Sequence, residues 1–170
     1  TDFWKTNGNS GTTSSNFLGT IDNQPLEIRV NNTRPLKLIP EDDGSGTIEV
    51  SVLAGSATNS ITSGVLAGTI SGGSNNTAEK SYATTGGGYN NKAKEIYSTI
   101  GGGRGNTASA SEATVGGGLS NTAGGDSSTV GGGQSNFATG SSSSICGGSY
   151  NSAGSLYATV AGGSNNSAST

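Results

Sequence analysis

The chain has 170 residues, a length that ordinarily makes one domain. Only 29% of the residues are hydrophobic and 31 are glycine, a balance poor for an ordinary globular core and suited to a repeat fold. Histidine is absent, Cys146 is the one cysteine, and the formal charge is −3 with no basic stripe. Histidine-based triads, zinc centres and nucleic-acid partners are thereby excluded.

In chain order, Phe3, Trp4 and Phe17 come first and read as core or interface anchors. Leu26, Ile28 and Val30 alternate with Glu27 and Arg29, the signature of a half-buried strand. The "NNTR" stretch turns into Leu36-Lys37-Leu38, which predicts a hairpin. A polar turn, "EDDGSG" (41–46), leads to a strand over Ile48, Val50 and Val52. Residues 1–52 thus form a small β-hairpin region, and a second region spans 53–170.

That second region is a tandem array. Ile70, Thr85, Ile100, Val115, Val130, Ile145 and Val160 each precede a glycine cluster, and every interval is 15. Six positions on stands asparagine: Asn76, Asn91, Asn106, Asn121, Asn136, Asn151 and Asn166. Two further on stands alanine: Ala78, Ala93, Ala108, Ala123, Ala138, Ala153 and Ala168. A degenerate eighth copy, "LAGSATNSI", precedes these seven, with Leu53 and Asn59 in their columns and Ile61 in the alanine column. Its spacing to Ile70 is 17, so two extra residues bulge out there.

A fixed period without insertions implies a solenoid in which each repeat is one coil. Fifteen residues are too few for a helical hairpin, and threonine, valine and glycine disfavour helix. Two short strands per coil, stacked in parallel, fit instead and give an all-β parallel β-roll or β-solenoid about 30 Å long over the seven regular copies. The Val/Ile and Ala columns should point inward and the Thr column outward. The second and third glycines are invariant and suit positive φ or close backbone approach. Asparagine can take the left-handed region and build a hydrogen-bonded ladder. Cys146, in the small first-glycine column, reads as a buried thiol. One Val or Ile per coil is worth about 1.5–3 kcal/mol, against about 1–2 kcal/mol for ordering each residue. So thin a coil predicts a homotrimer sharing one core.

"ATVGGGLSNTAGG" and "STVGGGQSNFATG" resemble the head repeats of the YadA-like trimeric autotransporter adhesins, whose coil pattern is Ser-Val-Ala-Ile-Gly-x-x-Ser/Asn-x-Ala-x-Gly. Similar arrays occur in phage tail fibres and in surface proteins ending in a self-cleaving chaperone, and "SSNFLGTIDNQPLEIRVNNTRPLKL" looks like the segment ahead of those arrays. The resemblance implies a left-handed, trimeric roll on a bacterial surface or virion, with attachment as its function. The glycine triplet departs from the adhesin pattern, so collagen-type binding does not carry over. Beginning at Thr1 and stopping mid-coil at Thr170, the chain reads as a piece of something longer.

Candidate contact residues are the variable ones after the glycines, Tyr89, Arg104, Leu119 and Gln134, with Tyr150 in the neighbouring loop position. These would meet a host-surface glycan or protein. Tyr82, Tyr97 and Tyr157 share a column of their own. The Thr rank (Thr69, Thr84, Thr99, Thr114, Thr129, Thr159, with Ser144) resembles the ranks of insect antifreeze proteins, though those carry two ranks side by side. Ice binding, and a ligand-free self-assembling filament, are therefore the competing expectations. Glycine clusters without Gly-Lys-Ser/Thr are not phosphate loops, and one aspartate, Asp126, cannot make a calcium solenoid. No cofactor, metal, catalytic residue or membrane span is expected, and the chain reads as non-enzymatic.

Overall fold

The computed structural model describes residues 13, 15 and 17–169; Phe3 and Trp4 lie outside them. The described residues form two sheets and no helix. β1 (Leu26–Val30) and β2 (Thr33–Asp42) make the expected hairpin, closed by Asn31 and Asn32 at φ 48° and 55°. Two consecutive left-handed asparagines give a turn whose twist matches the flanking strands. β2 is longer than the Leu36–Leu38 core suggests, because it pairs along most of its length with β3 (Ile48–Ala54). Between them, Asp42 Oδ1 accepts the amides of Gly44 and Gly46, and Asp43 accepts Ser45 N–H and O–H.

Two-residue strands follow in a fixed rhythm: β4 (Ser60–Ile61), β5 (Thr69–Ile70), β6 (Thr77–Ala78), and so on to β17 (Thr159–Val160) and β18 (Ser167–Ala168). Odd strands extend the hairpin into a ten-stranded sheet, and even strands form an eight-stranded one. From β5 on, every parallel pair joins residue i to i+15. At the first coil the shift is 17, Leu53 against Ile70 and Ile61 against Ala78. The two extra residues are absorbed in 62–68, where Val65 tucks in at 4% exposure. Single-residue parallel bridges, from Ser74 through Tyr89, Arg104, Leu119, Gln134 and Ser149 to Ser164, form a third line of stacking. The result is a parallel β-solenoid of about eight coils. The expected boundary at 52/53 falls inside β3, whose Leu53 belongs to the first coil and whose Val50 belongs to the hairpin.

Inside, Ile70, Ile100, Val115, Val130 and Ile145 have no exposed surface, and neither do the alanines from Ala78 to Ala153. Thr85 fills the Val/Ile column by donating its hydroxyl to Thr77 O at 3.1 Å. A further interior column precedes the Thr rank: Ala83, Ser98, Ala113, Ser128 and Ser143 are all buried. This burial is complete within one chain. The Val/Ile and Ala columns are thus covered within one coil, because the asparagine and Ala/Ser columns fill the interior that two columns could not.

The asparagines do this by hydrogen bonding. In the middle of the array, Asn121 Nδ2 donates to Gly117 O of its own coil and Gly133 O of the next, both at 2.9 Å. Its Oδ1 accepts the backbone amide of Asn136 at 2.9 Å and Asn136 Nδ2 at 3.1 Å. The bonds to the two glycine carbonyls and to the backbone amide recur from Asn76 to Asn151, the amide-to-amide bond at Asn91–Asn76, Asn136–Asn121 and Asn166–Asn151, and Asn59 anchors the column in the degenerate coil. A buried amide fully paired in this way stabilises, whereas an unpaired one costs about 1–3 kcal/mol.

Two turn expectations change. The left-handed residue is not the column asparagine but its predecessor: Asn75, Asn90, Ser120, Ser135, Tyr150 and Asn165 lie at φ 52–58°. Of the invariant glycines the third is at positive φ in every coil, whereas the second is so only at Gly87 and Gly162. Gly118, at φ 90°, would place a Cβ 2.1 Å from Gly133 O, while a Cβ on the second glycine of that cluster, Gly117, would make only an ordinary contact with Gly102 O at 3.9 Å.

Candidate contact surfaces

Strand alternation decides what each coil shows to solvent. On the ten-stranded sheet the Thr rank faces out, half-buried to exposed, as expected. Two residues along, the outward column is Ser71, Gly86, Gly101, Gly116, Gly131, Cys146 and Ala161, all exposed. Cys146 is thus an exposed thiol and not a buried one. Its column is small because coils approach closely there: a Cβ on Gly131 would lie 2.4 Å from Cys146 O.

The variable residues come together on the third line of stacking. Tyr89, Arg104, Leu119 and Gln134 stand in consecutive coils, joined by their bridges. The Arg104 guanidinium carbon lies 5.9 Å from the Tyr89 ring centre, within cation–π range. Gln134 Nε2 donates to the Tyr150 hydroxyl at 3.3 Å. Tyr89, Leu119 and Tyr150 are 39–55% exposed. This rank pairs aromatic faces with polar tips, the composition of a recognition surface.

A second aromatic feature lies at the other turn. Tyr82 and Tyr97 stack with ring centres 5.0 Å apart and planes 12° from parallel. Both sit at positive φ, as do Glu112, Ser127, Ser142 and Tyr157 in the same column. Tyr82 donates its hydroxyl to Glu49 Oε1 at 3.2 Å, and that bond to a carboxylate, with partial desolvation, raises the phenol above its usual value. Tyr157 stands alone and exposed.

The hairpin supplies what sequence reasoning missed. Alternation in β1–β3 is as expected, but the apolar side faces away from the solenoid. Ile28, Val30, Ile48 and Val50 are 44–67% exposed, and Phe17, read as an anchor, is 55% exposed. A cavity of about 320 Å³ lies on this side, lined by Leu18, Leu26, Leu38, Pro40, Ile48 and Val50 among others. The opposite side meets the first coil, with Ile39 against the core and Glu41 accepting the Gly64 amide at 3.1 Å. Glu27 gathers Arg29, Arg34 and Lys37 there. The Arg29 hydrogen bond, with the positive charges of Arg29 and Lys37, holds the Glu27 carboxyl below its usual range.

Among the described residues, no three metal-ligating side chains gather and no helix is long and apolar enough to cross a membrane. No family model matches the chain, and no curated protein matches it in sequence.

Proposed function

We propose that the chain is a non-enzymatic fibre segment: a rod, assembled as a homotrimer on a cell surface or a phage tail, that presents side chains for attachment. One observation carries the reading. Variation is widest at outward positions of a near-regular frame, and four of the most chemically diverse side chains, Tyr89, Arg104, Leu119 and Gln134, fall on consecutive coils of one line, with Tyr150 one residue beyond it. A stiff scaffold that varies most where it meets solvent is suited to touching something. The partner that suits tyrosine, arginine and glutamine together is a glycan or a polar protein surface.

Glycan-array and host-cell binding by the wild-type chain tests this. Replacing Tyr89 and Arg104 together by serine should abolish binding while leaving the melting temperature within a few degrees. Retained binding in that variant would rule out this rank as the contact surface. Ice binding is the second reading, favoured by the regular Thr rank on a parallel sheet. Its second rank is glycine, alanine, serine or cysteine instead of threonine. Thermal hysteresis in the wild-type chain would decide for it.

A further inference from the structure

The two long edges of the coils differ in charge. From each Thr strand across the third line of stacking to the alanine strand (69–78, 84–93, 99–108 and so on to 159–168), the charged side chains are Lys92 and Arg104, both cations. The acids of the coils, Glu79, Glu95, Glu112 and Asp126, all stand at the opposite edge, where the chain returns from the alanine strand to the next Thr strand. Arg104 is also unspent. Among the described residues the ion pairs all gather on Glu27, and no acceptor engages the Arg104 guanidinium, which lies 5.9 Å from the centre of the Tyr89 ring. Both side chains are exposed.

We propose that Arg104 receives the carboxylate or sulfate of an acidic sugar, with the rest of an oligosaccharide lying along the line over Leu119 to Gln134 and Tyr150. The inference rests on the attachment reading above and names its ligand class. A guanidinium over an aromatic face presents a planar fork of donors that matches an oxyanion bidentately. An anion at this edge meets no carboxylate to repel it. Leu119 offers an apolar spot for the C–H face of a sugar ring. The bonded pair of Gln134 and Tyr150 supplies donors and acceptors for sugar hydroxyls. Both residues before each line residue are glycine in all seven regular coils, so no side chain overhangs the line from that side. Tyr89 to Gln134 spans three coil spacings, about 14 Å, the length of a short oligosaccharide.

The backbone argues against an extended peptide in the same place. The amides of Tyr89, Arg104, Leu119 and Gln134 donate to Gly103 O, Gly118 O, Gly133 O and Gly148 O of the next coil. Their carbonyls accept the amides of Gly105, Ser120, Ser135 and Tyr150. With these groups spent along the axis, a peptide strand finds no edge to pair with, and recognition falls to side chains.

Calorimetry with three forms of one tetrasaccharide tests this: one bearing a single uronic acid, one a single sulfate, and one neutral. Wild type should bind at least one acidic form about tenfold tighter than the neutral one, and which form it is tells carboxylate from sulfate. Added salt should narrow the gap. Arg104→Gln should bring the affinities within about twofold of one another, and Arg104→Lys should restore only part of the gap, because the fork is lost. Lys92→Gln, which removes the other cation of this edge, should keep the gap. Equal affinities of wild type for all three forms would overturn the acidic-sugar inference and leave attachment standing. So would a gap lost as completely in Lys92→Gln as in Arg104→Gln, or binding of a charge-matched acidic peptide in place of the sugars. Binding of none of the three would overturn it too; host-cell binding then decides whether the attachment reading stands or falls with it.

Discussion

Ile100 and Ile28 belong to the same ten-stranded sheet, yet one is wholly buried and the other is 44% exposed. What separates them is the presence of a second sheet. In a coil, the chain turns back after six residues and covers its own Val/Ile position with the alanine strand and the asparagine amide. In the hairpin the chain turns back within the same sheet, so among the described residues one side is covered only in part, by the stretch through Leu18, Thr20 and Asp22. Period, not hydrophobicity, decides which isoleucine is core, and the two regions should answer differently to the same perturbation.

The largest contrast should come from charge. Val130→Asp puts an unpaired carboxylate in a site with no exposure, at about 3–5 kcal/mol or more, while Val50→Asp on the hairpin should cost under about 1 kcal/mol. Denaturant melts of the two variants measure this, and equal losses would break the distinction. Next is Asn121→Ala, which leaves the Asn136 amide and Gly117 O unpaired inside the array. It should cost about 2–4 kcal/mol and raise hydrogen exchange at coils on both sides, with hairpin amides unmoved. Gly118→Ala should cost about 2 kcal/mol or more, and Gly117→Ala under about 0.5 kcal/mol, although the two glycines are equally invariant. Ser143 Oγ is buried without a protein partner in a column that holds alanine at 83 and 113 and hydrogen-bonded serine at 98 and 128. Ser143→Ala should therefore raise the melting temperature, by about 1 kcal/mol in stability.

The smallest effect belongs to the hairpin alone. Glu27 is held below its ordinary value of 4.5 by Arg29 and Lys37, so its folded-state pKa lies under the unfolded one. Its contribution is present above pH 4.5 and is lost as pH falls from there through the lowered folded value. Hairpin amides should exchange faster over that window, and Glu27→Gln should remove the dependence without touching the coils.

The solenoid was legible because its information is periodic: seven copies at interval 15, each with Asn and Ala and all but the Thr85 copy with Ile or Val, admit few other folds. Cys146 was legible too and was misread, since it follows the inward Ile145 and alternation alone turns it outward. The left-handed turn residue was not legible. Ser120, Ser135 and Tyr150 take that conformation with no special preference for it, because the hydrogen bonds of the turn impose it. Nor was closure within one chain. Counting one Val or Ile per coil misses the space an asparagine amide and a serine or alanine fill. For the hairpin, alternation marked the apolar side, but nothing in a strand says which side will be covered.

Each column asparagine reaches down to its own coil and up to the next, so a coil is complete only when another follows it. Such wiring makes length an inheritable variable. A duplication or loss of one whole period in the gene rejoins every bond to an equivalent partner and yields a longer or shorter rod of unchanged cross-section. A slip of a residue or two keeps the columns beyond it aligned only where a turn can bulge it out, as 62–68 does for its two extra residues. Selection on reach can thus act by whole coils, independently of selection on the side chains the rod displays.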